Sequence, residues 1–249
     1  MDNPESLAQW AALLADRTRA AFCLALLDGR AWTVGELARH AGVAVSTASE
    51  HADRLVAGGL LAQRKQGRHR YLQLAGPDVA ALIETVSSAG APVPPAPVVS
   101  MAAAHRRRNL AFARTCYDHL AGFLGVGIAD AMAARGLISR SHGLALTPRG
   151  MTWLAALQIF PDRSGKRPVL RECLDWTERR SHLAGQTGAL LCRHAFDAGW
   201  IVRIGTDRAV KVTPAGATAL ADQLGIVIDP ARRAAPGAAP AAPAAARRR

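Results

Sequence analysis

Residues 33 to 74, TVGELARHAGVAVSTASEHADRLVAGGLLAQRKQGRHRYLQL, constrain the fold more tightly than any other stretch of this chain. Thr33 followed by Glu36 forms a capping box ahead of an apolar-periodic run, Val34, Leu37, Ala38 and Ala41. Gly42 ends that helix, because a left-handed residue there carries no Cβ penalty. A second helix is predicted from Val45 to Ala57, with Ala48, Ala52, Leu55 and Val56 at helical spacing. Gly58-Gly59 stops it. Leu60 to Arg64 and Arg70 to Leu74 then read as strands joined through Lys65-Gln66-Gly67-Arg68-His69. Helix, tight turn, helix and a cationic ribbon together predict a winged helix-turn-helix.

The second helix carries hydrogen-bonding side chains on its other face, and the major groove is where base-specific donors and acceptors are exposed. Ser46, Thr47, Ser49, His51 and Arg54 are the expected base readers. Arg64, Lys65, Arg68, His69 and Arg70 on the ribbon are expected to meet phosphate or the minor groove, positioning more than specifying. The competing reading is a solvated face on a protein-interaction module.

Several motifs here resemble the ArsR family of small bacterial winged-helix repressors. They are LADRTRAAFCLALLDG, ELARHAGV, STASEH and GGLLAQRKQGRHRYLQL, within residues 5 to 86. The S-x-H step of that family falls on Ser49 and His51. Its wing pattern falls on Gly59-Leu60, Gly67-Arg68 and on Tyr71 one position early. Ala44 stands where the family has a capping serine, and Glu50 is an acid on a face meant for an anionic groove. The resemblance implies a homodimer paired through the first helix and a post-wing helix near Asp78 to Val86. Its two recognition helices would then meet an inverted-repeat operator in double-stranded DNA. It also implies metal sensing through cysteines on the helix-turn-helix or Asp/His sets after the wing. Residues 33 to 58 contain no cysteine and residues 75 to 90 no histidine, so any input must lie elsewhere.

The place to look is an internal repeat. HLAGFLGVGIADAMAARGLI (119 to 138) matches HLAGQTGALLCRHAFDAGWI (182 to 201) at a constant offset of 63. After a three-residue insertion, LALTPRG (144 to 150) matches VKVTPAG (210 to 216). Each copy reads as helix, Gly stop, strand, turn, strand, then Thr as N-cap with Pro behind it. A Cys-x-Asp precedes each copy: Cys116, Asp118 and His119 in one, Cys173, Asp175 and His182 in the other. Thiolate, carboxylate and imidazole can hold a thiophilic divalent metal such as zinc, cadmium or lead. A cysteine near Arg179 and His119 could instead have a lowered pKa and respond to oxidants. The bland reading is the favoured one on the residues alone: caps, satisfied histidines and small core thiols. Cys23 and Cys192 lie on apolar faces and read as core, and Trp153, Trp176 and Trp200 either line a pocket or fill a core.

The expected fold is mainly α with small antiparallel β-hairpins, an N-terminal winged helix-turn-helix followed by a C-terminal domain of two winged-helix-like repeats. Its expected parts are a DNA-binding and dimerisation domain (1–88), a Pro/Ala linker (89–104), a sensor or interaction domain (105–228) and an Ala/Pro/Arg tail (229–249). The chain has no uncharged apolar run long enough to span a bilayer and no signal peptide, so no membrane and a cytoplasmic setting are expected. Nucleotide, hydrolase and metalloprotease motifs are missing, which reads as no enzyme and no required cofactor. These readings point to a sequence-specific transcriptional regulator, a homodimeric repressor released by an effector or by a thiol or metal signal. The alternative is a tandem winged-helix scaffold with architectural DNA or protein binding.

Charge supports a polyanionic partner, with one discount. The net charge is +12, but Arg232, Arg233, Arg247, Arg248 and Arg249 sit in a segment without a single acid, leaving +7 on the rest. Removing residues 230 to 249 is therefore expected to lower affinity for random DNA while leaving operator preference and melting temperature unchanged. A melting temperature lower by several degrees would show that the segment docks.

Overall fold

The structure is a computed structural model describing residues 3–67, 69–89, 101–141, 143–205 and 208–228. The expected tail, Arg68 and most of the expected linker lie outside the described residues.

Each N-terminal helix starts where its sequence supplies a cap. Helix α1 (Pro4–Leu14) follows Asn3, whose side chain accepts from the N–H groups of Glu5 and Ser6. Helix α2 (Arg17–Leu26) follows Asp16, which accepts from the Arg19 N–H at 2.9 Å. After strand β1 (Trp32–Thr33), helix α3 (Val34–Ala41) has both halves of the capping box in place and ends on left-handed Gly42. Helix α4 (Val45–Ala57) covers the predicted span, and Ala44 gives it no side-chain cap. Strands β2 (Leu61–Gln66) and β3 (His69–Leu74) form the wing, with β1 added on the far side of β3. Helix α5 (Pro77–Ala89) returns across the domain.

Helices α2, α3 and α4 and the sheet bury one cluster that includes Phe22, Leu26, Leu37, Leu55, Leu60 and Leu72. Each such side chain contributes about 1.5–3 kcal/mol on leaving water, far more than any single surface pair. The helix-turn-helix angle is thus set by packing.

Helix α6 (Met101–Phe112) begins inside the stretch expected as linker. Two units of identical element order follow. The first is β4 (Arg114–Cys116), β5 (His119–Ala121), α7 (Gly122–Ala134), β6 (Ile138–Ser139), β7 (Ala145–Leu146) and α8 (Pro148–Ala156). The second is β8 (Arg171–Leu174), β9 (Ser181–Ala184), α9 (Gly185–Asp197), β10 (Ile201–Arg203), β11 (Val210–Val212) and α10 (Pro214–Leu224). The closing Thr-Pro step works alike in both. Thr147 accepts from the Gly150 N–H and donates to the Gly136 carbonyl, and Thr213 does the same with Gly216 and Gly199.

Two features differ from the sequence expectation. The opening His-Leu-Ala of each copy is a strand, because Gly122 and Gly185 break the backbone to positive φ before the helix begins. A β-hairpin also stands where a winged helix would place its helix-turn-helix, so each unit is hairpin, helix, hairpin, helix.

The units interlock. Helix α7 packs on β9 and α9 on β5. Gly125 and Gly188 permit that approach: a Cβ on Gly125 would strike the Leu120 carbonyl, and one on Gly188 would strike the Leu183 carbonyl. Beyond those carbonyls lie His182 and His119 respectively, each belonging to the other unit. Gly188→Ala should therefore destabilise the full chain by about 1–3 kcal/mol through overpacking, read by urea unfolding. Gly127→Ala, with open space beside it on α7, should be stabilising by about 0.5–1 kcal/mol.

Candidate nucleic-acid interface and candidate metal centre

The winged-helix face presents its polar residues unevenly. Ser46, Arg54, Arg64, Lys65 and His69 are exposed, and Thr47 and Ser49 are half-buried on the same side of α4. His51 turns inward. Its Nδ1 lies 3.6 Å from Asp16 and 3.4 Å from the Arg19 guanidinium, so it braces α4 against the start of α2. Arg70 pairs with Asp53 at 2.6 Å, tying the wing to α4. Both residues, expected as DNA contacts, also have structural partners that sequence spacing could not reveal.

In the C-terminal half, Cys116 and His119 are cross-strand partners on the first hairpin, and Cys173 and His182 are partners on the second. Because the hairpins face each other, the four ligand atoms come within 4.8 Å of one another, and all four residues are buried. The two Nε2 atoms are 3.2 Å apart. A tetrahedral zinc ion with thiolate and imidazole ligands needs donor separations of roughly 3.3–3.8 Å, so a small contraction would suffice. Asp118 and Asp175, expected as candidate ligands, lie outside this convergent set. They stand behind the imidazoles: Asp118 is 3.3 Å from His119 Nδ1, and Asp175 is 3.4 Å from His182 Nδ1. The second contact is too poorly aligned for a hydrogen bond and acts through charge. A carboxylate at Nδ1 aims Nε2 at the centre, the arrangement that orients histidine ligands.

The carboxylates are fixed in turn. Arg167 grips Asp118 with both guanidinium nitrogens, at 2.6 and 3.0 Å. Burial alone would raise Asp118, but His119 and Arg167 outweigh it and hold the carboxyl down at about 2. Asp175 is completely buried and accepts from Arg114 at 2.8 Å, from the Gly122 N–H at 2.6 Å, and from Thr177 and Glu178. Burial opposes ionisation there too, and these donors win, keeping it well below the usual carboxylate range.

Cys116 runs against the expectation of a reactive thiolate. The neighbouring Cys173, burial and the charge of Glu84 all push Cys116 upward. Cys173 donates to Glu84 Oε2 at 3.1 Å. Burial would lower His119, yet Asp118, Cys116 and Glu84 raise it to about 10. With Nε2 atoms this close, the imidazole pair can share a proton but not hold two. Burial pushes Cys23 and Cys192 up to about 12, as core thiols.

Glu84 was not legible as part of this site. It comes from α5 of the N-terminal half, and its one sequence signal is an acid beside Ile83 on a helix face that is otherwise apolar. A second link joins the halves at the tip of the first hairpin. Tyr117, at φ 57°, packs on the N-terminal core and donates its N–H to the Leu27 carbonyl at 2.6 Å. A cleft of about 310 Å³ between α5 and the hairpins leads from Lys166 and Arg167 down to Glu84 and His119. The tryptophans do not enclose a comparable space. Trp153 and Trp200 border only about 20 Å³, and the Trp176 ring lies 4.7 Å from the Arg114 guanidinium.

Asp175→Asn should destabilise the chain by about 3–5 kcal/mol, because it leaves the Arg114 charge buried without a counter-charge. Thermal unfolding of the full chain tests this. A loss under 1 kcal/mol would mean that water or another group reaches Arg114.

Residues 14–64 match the helix-turn-helix domain family. The chain is 37% identical over 229 residues to the uncharacterized HTH-type transcriptional regulator YdfF of Bacillus subtilis strain 168, covering 91% of this chain and 100% of that protein. Among solved structures it is similar to the homodimeric winged helix-turn-helix DNA-binding domain of Mb0332 from Mycobacterium bovis, a possible ArsR-family transcriptional regulator. That likeness has 31% identity, 33% coverage of this chain, 76% of that chain and a TM-score of 0.31. It is also similar to the cadmium metal-sensor CMTR from Mycobacterium tuberculosis, at 35% identity, 38% and 98% coverage and a TM-score of 0.29. Among the described residues no helix is long and apolar enough to cross a membrane. With a helix-turn-helix and wing at its N-terminus and a relative matched along its whole length, the chain belongs to the winged helix-turn-helix transcriptional regulators.

Proposed function

We propose that this regulator is a homodimeric, sequence-specific repressor acting in the cytoplasm, and that a thiophilic divalent cation of the zinc and cadmium class releases it from its operator. The observation that carries the reading is the convergence of Cys116, His119, Cys173 and His182, one cysteine and one histidine from each repeat, with a carboxylate behind each imidazole. Two thiols and two imidazoles form a donor set suited to a tetrahedral thiophilic ion. Such an ion would cross-link the two hairpins, while Asp118 and Asp175 keep the imidazoles aimed.

On the DNA side, Ser46, Thr47, Ser49 and Arg54 would read base edges, and Arg64, Lys65, Arg68 and His69 would hold phosphate. Amides at the uncapped start of α4 can add a phosphate contact. A second copy would cover the apolar side chains that α1 and α5 leave exposed: Leu7 at 73%, Leu82 at 41% and Val86 at 51%. Two copies related by a two-fold would place the recognition helices on an inverted repeat. An architectural scaffold would bind without such a preference, so the ratio of operator to random-DNA affinity separates the two readings.

The signal is tested by fluorescence anisotropy on an operator selected from random duplexes. Adding cadmium should weaken binding by roughly 5- to 150-fold. Cys116→Ser and Cys173→Ser should each abolish that response. Release by peroxide but not by cadmium would assign the signal to the thiol pair alone, and release by neither would overturn the cluster as the input.

A further inference from the structure

Resting on that reading of the cluster, we infer that Glu84 carries the occupancy of the cluster to the DNA-binding half, as a positioning residue for α5 that is not itself a ligand. Glu84 is only 4% exposed, and its Oε2 accepts the Cys173 S–H at 3.1 Å. The strand that carries Cys173, β8, packs against α5. On the same helix, Ala80 and Ile83 belong to the winged-helix core, while Leu82 and Val86 face outward where a second copy would pair. One helix therefore touches the candidate metal site, the DNA-reading core and the proposed dimer face.

The chemistry of ligation makes this contact sensitive to occupancy. A cysteine binds a divalent cation as thiolate: the S–H bond breaks, a sulfur–metal bond forms, and the proton leaves to solvent. Nothing is oxidised or reduced. The donor that Glu84 accepts from is then gone. A carboxylate is left facing a sulfur that carries negative charge, in an interior that screens charge poorly. The Glu84–Cys173 contact turns from attraction to repulsion, which pushes α5 away from β8. The Tyr117–Leu27 backbone bond meanwhile holds the two halves together, so the response is a shift of α5 and not a separation of domains.

Glu84→Gln separates transmission from binding. The amide oxygen still accepts from the free thiol, and the amide N–H can donate to a ligated thiolate, so the contact survives occupancy. The experiment titrates the full-length protein with cadmium alone, with and without operator DNA, by calorimetry. In the wild type, DNA should weaken cadmium binding by the same factor by which cadmium weakens DNA binding, roughly tenfold or more. In Glu84→Gln that factor should fall to about one, with cadmium still bound within roughly threefold of the wild-type affinity. An unchanged factor would overturn the inference while leaving the metal reading standing. Loss of cadmium binding in the variant would overturn it as well, by making Glu84 a ligand. A wild type that binds no cadmium would remove the parent reading and this inference together. A second measurement does not depend on the variant folding. Hydrogen exchange of wild-type amides 78 to 89 should quicken when cadmium is added, and unchanged protection there would overturn the role given to Glu84.

Discussion

A charge sealed from water must find its partners inside the protein, and in this molecule that requirement falls on Asp175 and Arg114. Both side chains are fully buried, and they meet at 2.8 Å. Arg114 belongs to the first repeat and Asp175 to the second, so the pair spans the seam between them. Asp175 also accepts the Gly122 N–H at the start of α7, and through Thr177 and Glu178 it fixes the turn of the second hairpin. A buried pair of this kind contributes little net stability compared with apolar side chains of similar volume, but it is costly to break and admits one geometry. Here that geometry is the facing of two hairpins.

Everything chemically distinctive follows from that facing. Each hairpin alone offers a cysteine and a histidine across a short turn, too few ligands for a closed site. Placed against each other, they supply four buried donors, with both imidazoles backed by carboxylates. Gly125 and Gly188 make the approach possible by removing the Cβ that would hold each helix away from the opposite hairpin. The repeat thus brings the two copies face to face, with each supplying half of the four-residue cluster.

The same facing also brings the cluster to the boundary between the halves. The cluster lies on the border with the winged helix, reached by Glu84 from one side and sending Tyr117 to the other. The recognition helix is also tied inward, by His51 to Asp16 and Arg19 and by Asp53 to Arg70. A change at the border therefore meets a domain whose reading face is rigidly mounted on its core. Rigid mounting transmits small displacements of whole elements and resists local ones.

The sequence by itself determined what depends on near neighbours. Thr33 and Glu36 cap each other, Gly42 turns the chain, Val45 to Ala57 forms a helix, and the Thr-Pro steps at 147 and 213 start helices, because each rests on contacts within a few residues. It also supplied the right residue types for the cluster, since Cys116, His119, Cys173 and His182 stand out as paired chemistry in a repeat. Only the tertiary structure decided which of them converge. Asp118 and Asp175 fell behind the imidazoles, because both sit in the hairpin turns just beyond the paired strand residues. Glu84 arrived from the N-terminal half, and His51 and Arg70 gained partners in Asp16 and Asp53. Contacts between residues far apart in sequence depend on how packed elements meet, and local spacing holds no record of that.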